Sequence, residues 1–225
     1  MKERMLFFDI DDVLFPSTEF SHLARRNALN SMIELGLDVK YEELARMLDR
    51  VIKDRGSNYT NHFDALLENA GVVVGKRAKF VAAAVGAYHN TKAAIQPYPD
   101  VPLALLRLQG RHPLYIASDG LAVKQWDKLI CMKLALFFQE VFVSESLGVQ
   151  KSPQFYRKIA QLVKAKPSEC VMVGDREDKD IAPAKEAGWK TVRMRREGAK
   201  YAAGKTRADG EIKSLAGLGK VLEKI

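Results

Sequence analysis

Two aspartates close the first apolar run of the chain. Asp9 and Asp11 follow Met5-Leu-Phe-Phe and stand two residues apart. In an extended segment, side chains i and i+2 share a face, so the two carboxylates point the same way. Side by side they repel, which raises one pKa unless a cation neutralises the pair. Two further apolar runs also end in polar clusters. Leu114-Tyr-Ile-Ala runs into Ser118, Asp119 and Gly120, and Cys170-Val-Met-Val runs into Gly174, Asp175, Asp178 and Asp180. If Asp175 joins Asp9 and Asp11, three carboxylates make a hard oxygen site. Mg²⁺ is the expected ion, because it takes few protein carboxylates and keeps positions for water and phosphate. Ser118 reads either as a turn hydroxyl satisfying the backbone or, with the N–H groups beside it at Asp119 and Gly120, as a donor to a phosphate oxygen; Gly120 lets the backbone approach closely. Lys151 stands just before Ser152-Pro153, a pair that opens helices. Alone it reads as a solvated charge, but beside the acid cluster it becomes a cation facing a phosphoryl group. Asp12, Asp100 and Asp178 are read as helix caps or solvated loop charges.

These residues need elements that bring them together. Met5 to Asp11 reads as a strand. Four helical segments follow with no strand between them. The first starts at a Ser17 or Thr18 cap and stops at Gly36, with Phe20, Leu23, Ala24, Leu29 and Ile33 at helical spacing. The others cover Tyr41 to Arg55, His62 to Asn69 and Gly75 to about Ala94. After Gln96-Pro-Tyr-Pro-Asp the pattern changes. Helices Val101–Leu108, Leu121–Leu134, Pro153–Lys164 and Ile181–Ala187 alternate with apolar runs at Leu114–Ala117, Val141–Val143, Cys170–Val173 and Thr191–Met194. That alternation predicts right-handed βαβ units and a parallel sheet covered on both faces. In such a sheet ligands bind outside the carboxyl ends of the strands, where all three polar clusters fall.

Composition sets the outer bounds. The 225 residues correspond to about one and a half domains. With 47% hydrophobic and 28% charged residues the chain has an ordinary globular balance, which excludes intrinsic disorder. Cys131 and Cys170 form no C-x-x-C pair, and with 4 His they are too sparse for a zinc cluster. Two thiols suggest a reducing compartment, with one disulfide left open. Met5–Phe8 is too short an apolar run for a signal peptide, and no stretch approaches the roughly 18 apolar residues of a membrane span. A soluble, cytoplasmic protein is expected. The net charge is +8, and from Trp189 to Ile225 ten Lys/Arg stand against four Asp/Glu, so +6 of it falls in this segment. No aromatic-interleaved basic run accompanies this charge, so solubility and attraction for anionic substrates are the expected use.

The ordered set resembles the haloacid dehalogenase-like (HAD) superfamily. Asp9-Ile10-Asp11-Asp12-Val13 is similar to its first motif, D-x-D-x-[T/V]. Ser118 is similar to the second, a Ser/Thr ending an apolar strand, Lys151 to the third, and Gly174-Asp175 with Asp180 to the fourth, G-D-x-x-x-x-D. The likeness runs the length of the chain, and the gap from Phe15 to Gln96 falls where that superfamily carries a helical cap. The stretches FDIDDVLFPSTEF and GDREDKDIAPAKEAG look most like archaeal small-phosphatase-type members. Family members often read K-P-x-P at the third motif. Here the residues are Lys151-Ser152-Pro153, from which only a changed loop geometry is expected.

The resemblance implies an α/β protein, a parallel-sheet Rossmann-like core formed by residues 1–15 and 96–225 with an all-helical cap at 16–95. It implies Asp9 as the nucleophile on phosphorus and Asp11 as general acid and base. Mg²⁺ would be held by the Asp9 and Asp175 side chains and the Asp11 backbone carbonyl. Ser118, Asp119 and Lys151 would bind the substrate phosphate, and Asp180 would support them by orienting Lys151 or a water on the metal. The substrate class is a small phosphorylated metabolite, and the protein is a monomer or homodimer without membrane or nucleic-acid contact. Within the superfamily, 2-haloacid dehalogenases need neither the second aspartate nor Mg²⁺, so Asp11 favours a phosphatase; a phosphomutase uses the same residues. A receiver-like phospho-switch also gathers acids, a Ser/Thr and a Lys around Mg²⁺, but without D-x-D spacing or a cap. An RNA-associating protein using the basic C-terminal segment is the other non-enzymatic reading. Candidate substrate-selecting residues of the cap, His22, Arg25, Arg26, Asn58, Tyr59 and His62, read as ordinary surface residues.

Overall fold

The computed structural model describes residues 3–56 and 59–225, so Asn58 lies outside the described residues. The chain divides into two compact units, Met1–Glu19 with Ile95–Ile225, and Phe20–Ala94.

The first unit is built on a six-stranded, all-parallel sheet in the order β3-β2-β1-β4-β5-β6. Its strands are β1 (Met5–Phe8), β2 (Leu114–Ser118), β3 (Glu140–Val143), β4 (Cys170–Gly174), β5 (Lys190–Met194) and β6 (Gly210–Ile212). Every residue of β2 and β4 is buried, as expected of central parallel strands covered on both faces. Phe7 of β1 stacks on Tyr115 at 4.8 Å and meets Trp189 at 4.5 Å, and Tyr156 meets Trp189 at 5.1 Å. These rings form the core on one face of the sheet with Phe142, Phe155, Ile159 and Met172.

The second unit is helical. Helix α1 (Ser17–Glu34) leads into it, followed by α2 (Tyr41–Arg55), α3 (His62–Asn69) and α4 (Val74–Lys92). Its core joins Ala28, Leu29 and Met32 of α1, Leu44 and Leu48 of α2, Leu66 and Leu67 of α3, and Phe80 and Ala84 of α4. Phe80 and Ala84 thus serve the interior of this unit. The α1 stripe differs from expectation, with Leu23 37% exposed and Ala28 and Met32 buried in its place. His22 and Arg26 are exposed and Arg25 is half-buried. His62 Nε2 lies 2.9 Å from the Gly56 carbonyl and its ring packs edge-on to Tyr59 at 5.4 Å.

The remaining helices belong to the first unit. They are α5 (Val101–Gln109), α6 (Ala122–Cys131), α7 (Ser144–Leu147), α8 (Pro153–Leu162), α9 (Ala182–Glu186) and α10 (Leu218–Leu222). The expected helix Leu121–Leu134 ends early, at Cys131, because Lys133 takes a left-handed φ of 58° and a separate turn, Ala135–Phe137, follows. The expected helix from Ile181 is preceded by a wide turn, Glu177–Ile181, and continues only to Glu186. β6, α7 and α10 were not foreseen. Cys131 and Cys170 are not joined in a disulfide. No helix among the described residues is long and apolar enough to cross a membrane.

Candidate active site

Register brings the polar clusters to one rim. Phe8 pairs with Ile116 on one side and Val173 on the other, and the Asp9 N–H donates to the Val173 carbonyl at 3.0 Å. Asp9 therefore leaves the sheet level with Ala117 and Gly174, one step short of Ser118 and Asp175. Phe7 faces the layer covered by Phe155 and Tyr156 of α8. Two residues on, Asp9 keeps that facing and meets Lys151, which stands just ahead of α8.

Lys151 is 5% exposed and its Nζ lies 2.8 Å from Asp9 Oδ1 and 2.6 Å from Asp180 Oδ1. Asp180, fully buried, uses its other oxygen to accept the Arg176 N–H at 3.0 Å. Carboxylate oxygens of Asp9, Asp175 and Asp180 all lie within 4.8 Å of one another. Gly174 makes this approach possible, because a methyl group at its Cα would overlap Cβ, Cγ and Oδ2 of Asp180. Ser118 is buried at the end of β2. The Asp119 carboxylate is turned inward, accepting the Lys151 N–H at 2.8 Å on Oδ1, with Lys179 Nζ 3.8 Å from Oδ2. What Asp119 can offer an incoming anion is its backbone N–H, since its carboxylate is engaged. The Gly120 N–H donates to Ser144 Oγ at 2.9 Å, and the Ala122 N–H to Glu145 Oε2 at 2.8 Å, so the short helix α7 supports the loop after β2.

The electrostatics follow from burial. Burial pushes the Asp175 carboxyl up to about 9, reinforced by Asp180 and Asp9 and only partly opposed by Lys151. Burial also raises Asp180, to about 6, against the pull of Lys151. Burial alone would lower Lys151, but Asp180 and Asp9 outweigh it and hold the ammonium well above its ordinary value. Among the described residues, three carboxylates thus face one ammonium, and Asp175 is the group left without a cation. An all-oxygen cluster with surplus negative charge suits a hard divalent cation, so the residues fit Mg²⁺.

Asp11 lies on a tight turn between β1 and α1. The Leu14 N–H donates to the Ile10 carbonyl and the Asp12 N–H to the Phe15 carbonyl, both at 3.0 Å. Asp12 takes a left-handed φ of 54° and its carboxylate accepts the Thr18 N–H at 3.0 Å and the Thr18 hydroxyl at 2.5 Å. The cap of α1 therefore comes from Asp12, where Ser17 or Thr18 was expected to supply it. Asp178 pairs with Arg176 at 2.6 Å and Asp100 with Arg196 at 2.7 Å.

Lys128 is a site residue that sequence reasoning missed. Its Nζ donates to both Asp11 oxygens, at 2.6 and 2.8 Å, and to Gln125 Oε1 at 3.2 Å. Gln125 in turn donates to the Asp119 carbonyl at 3.0 Å. The first-motif acid and the loop after β2 are thereby joined through α6. Nothing in the local sequence marks Lys128, since its partner is 117 residues away.

A doubly wound parallel sheet with an acid cluster and a buried lysine at its carboxyl rim defines a Rossmann-like α/β core. The family model of haloacid dehalogenase-like hydrolases matches residues 4–188. The chain is 46% identical to a glyceraldehyde 3-phosphate phosphatase of Methanopyrus kandleri, over 93% of this chain and 90% of that one. It is 42% identical to the glyceraldehyde 3-phosphate phosphatase of Methanocaldococcus jannaschii, over 84% and 83% of the two chains. Among solved structures, a magnesium-bound HAD-hydrolase of Bacillus subtilis superposes with a TM-score of 0.72 at 20% identity, covering 100% of both chains. The chain belongs to the haloacid dehalogenase-like hydrolases, and within them it is a phosphatase acting on a small phosphorylated metabolite.

Two predictions come from this geometry. Gly174→Ala forces Asp180 away from Lys151. It should lower the unfolding free energy by about 1–3 kcal/mol, as overpacking does, and abolish most activity; a variant of unchanged melting temperature would contradict the close approach. The second concerns pH. In the metal-free protein Asp175 holds a proton up to about 9 that an ordinary carboxyl, at 3.8, gives up. Its contribution to stability is complete below about 3.8 and is lost as pH rises through about 9. The Mg²⁺-induced rise in melting temperature should therefore be larger at the alkaline end of that window than at the acid end, and the Asp175→Asn variant should lose this trend.

Proposed function

We propose that the chain is a cytoplasmic, Mg²⁺-dependent phosphomonoesterase of triose phosphates, with glyceraldehyde 3-phosphate, the substrate its relatives are named for, as first candidate. The observation that carries this reading is the buried gathering of Asp9, Asp175 and Asp180 around Lys151. Mg²⁺ would be held by the Asp9 and Asp175 side chains and the Asp11 backbone carbonyl, and when bound it offsets the repulsion between the Asp9 carboxylate and the phosphoryl group.

The chain's own residues carry the steps. Lys151 holds Asp9 Oδ1, and the other Asp9 oxygen attacks phosphorus. As the new O–P bond forms, the bond from phosphorus to the substrate's alcohol oxygen breaks, and that oxygen takes a proton from the Asp11 carboxyl. Asp11, now a carboxylate, takes a proton from the water that attacks the aspartyl-phosphate. Inorganic phosphate departs and Asp9 is restored. Ser118, the Asp119 backbone N–H and Lys151 hold the non-bridging oxygens, where negative charge develops. Asp180 fixes the Lys151 ammonium. Residues 16–95 are the cap that selects the substrate. Attack on carbon with loss of halide would use Asp9 alone, and the acid at Asp11 supports the phosphate reading.

Asp9→Asn should lower kcat on glyceraldehyde 3-phosphate at least about 10³-fold with a near-native melting temperature. Appreciable Mg²⁺-dependent turnover by this variant would remove the nucleophile assignment. Asp11→Asn should lose about 10²–10⁴-fold on alkyl phosphates but much less on aryl phosphates, whose leaving groups need no proton. Equal losses on the two would contradict the acid role.

A further inference from the structure

The turn that carries Asp11 is held from outside by one buried guanidinium. Arg196, 5% exposed, donates from Nη1 to Asp100 Oδ1 at 2.7 Å and from Nη2 to Asp100 Oδ2 at 3.1 Å, a bidentate pair. Nη2 also donates to the Val13 carbonyl at 3.1 Å, across 183 residues of sequence. The guanidinium lies 4.1 Å from the centre of the Tyr98 ring, and the Tyr98 N–H donates to the Leu14 carbonyl at 2.9 Å. Asp100 Oδ2 further accepts the Leu215 N–H at 2.7 Å. Two successive carbonyls of the turn are therefore gripped by a single assembly.

The way Asp11 is placed gives this grip its consequence. Ile10, Val13, Leu14 and Phe15 are buried, while the Asp11 side chain is 43% exposed. Its carboxylate is aimed by the backbone it stands on and by the Lys128 contact, with little packing of its own. A shift of the turn is passed directly to Asp11, and small displacements of a reacting group are costly to rate. The ion pair is also poorly arranged for stability alone. Among the described residues Arg196 Nε is buried without a hydrogen-bond partner, and buried ion pairs are often no more stabilising than apolar side chains of the same size.

We propose that Arg196 and Asp100 are positioning residues for proton transfer, holding the Val13–Leu14 backbone so that the Asp11 carboxyl reaches the departing oxygen. This rests on the acid role given to Asp11 above. The test is steady-state kinetics of Arg196→Lys and Asp100→Asn on an alkyl phosphate and on an aryl phosphate with a good leaving group. Asp11→Asn and the double variant Asp11→Asn/Arg196→Lys are measured alongside. The Asn variant keeps an acceptor for the Leu215 N–H and the shape of Asp100, so it retains the fold, which circular dichroism melts verify. The expected result is a loss in kcat of about 10–100-fold on the alkyl phosphate, under about 3-fold on the aryl phosphate, with KM little changed. The double variant should be scarcely worse than Asp11→Asn alone, because both changes act through one group. Equal losses on both substrates, or losses that add in the double variant, overturn the proposal in favour of a merely structural pair. If Asp11→Asn itself fails to discriminate between leaving groups, the acid reading falls first. If it discriminates and the Arg196 and Asp100 variants do not, only this inference falls.

Discussion

The structure depends on a deliberate surplus of buried negative charge. Carboxylate oxygens of Asp9, Asp175 and Asp180 sit within 4.8 Å of one another, and like charges at that separation repel by roughly 3–4 kcal/mol per pair at an effective dielectric of about 20. Lys151 neutralises part of this by bridging Asp9 and Asp180. Asp175 is left over, and in the absence of a further cation it responds by keeping its proton to about 9. The site is thus incomplete electrostatically in a way that a divalent cation, or protons, can complete. The surrounding fold has to force these groups together against their own repulsion.

The strand order does that forcing. β1 lies between β2 and β4, at the point where the order reverses, and crevices at the carboxyl side of such a switch point are where open α/β sheets bind ligands. Asp9, Ser118 and Asp175 come from these three neighbouring strand ends. Smaller devices then remove freedom. Gly174 admits Asp180 against β4, Asp119 holds the Lys151 backbone, and Gln125 joins the loop after β2 to Lys128. Apart from the Asp119 N–H, none of these touches a substrate in the proposed chemistry, yet each sets where a charged group can be.

How much of this was legible in the sequence depended on range. Where the signal is local and repeated, sequence reading succeeded: α2 and α3 span the expected residues, since amphipathic spacing and flanking glycines mark them. The strand-end acids were legible because an Asp that stops an apolar run is conspicuous. β6 was missed because it has three residues, begins with Gly210, and gains its order by pairing with β5 and packing against α10, both distant in sequence or later in the chain. The wide turn at Glu177–Ile181 was missed because it answers to Asp180 having to turn back toward Lys151, a constraint from another strand end. Lys128 and Arg196 were invisible for the same reason. Their partners lie 117 and 96 residues away, and a lone Lys or Arg has no local pattern that announces a partner.

The basic C-terminal segment shows that a charge count has to be read together with placement. Arg193 gives its guanidinium to the carbonyls of Tyr201, Ala203 and Lys205 at 2.7–3.0 Å, and Arg195 bonds those of Ala202 and Gly204 at 2.7 and 2.8 Å. Arg193 and Arg196 are almost wholly buried. A guanidinium enclosed by carbonyls projects little field toward a polyanion, whereas binding of nucleic acid draws on exposed cations that displace counterions from phosphates. Three of the segment's ten Lys/Arg are therefore spent in shaping one loop and, through Arg196, in holding the turn that bears Asp11, while Lys200, Lys205, Arg207, Lys213, Lys220 and Lys224 stay exposed. On this view the segment after β5 serves the acid end of the sheet through Arg196, which grips the turn bearing Asp11.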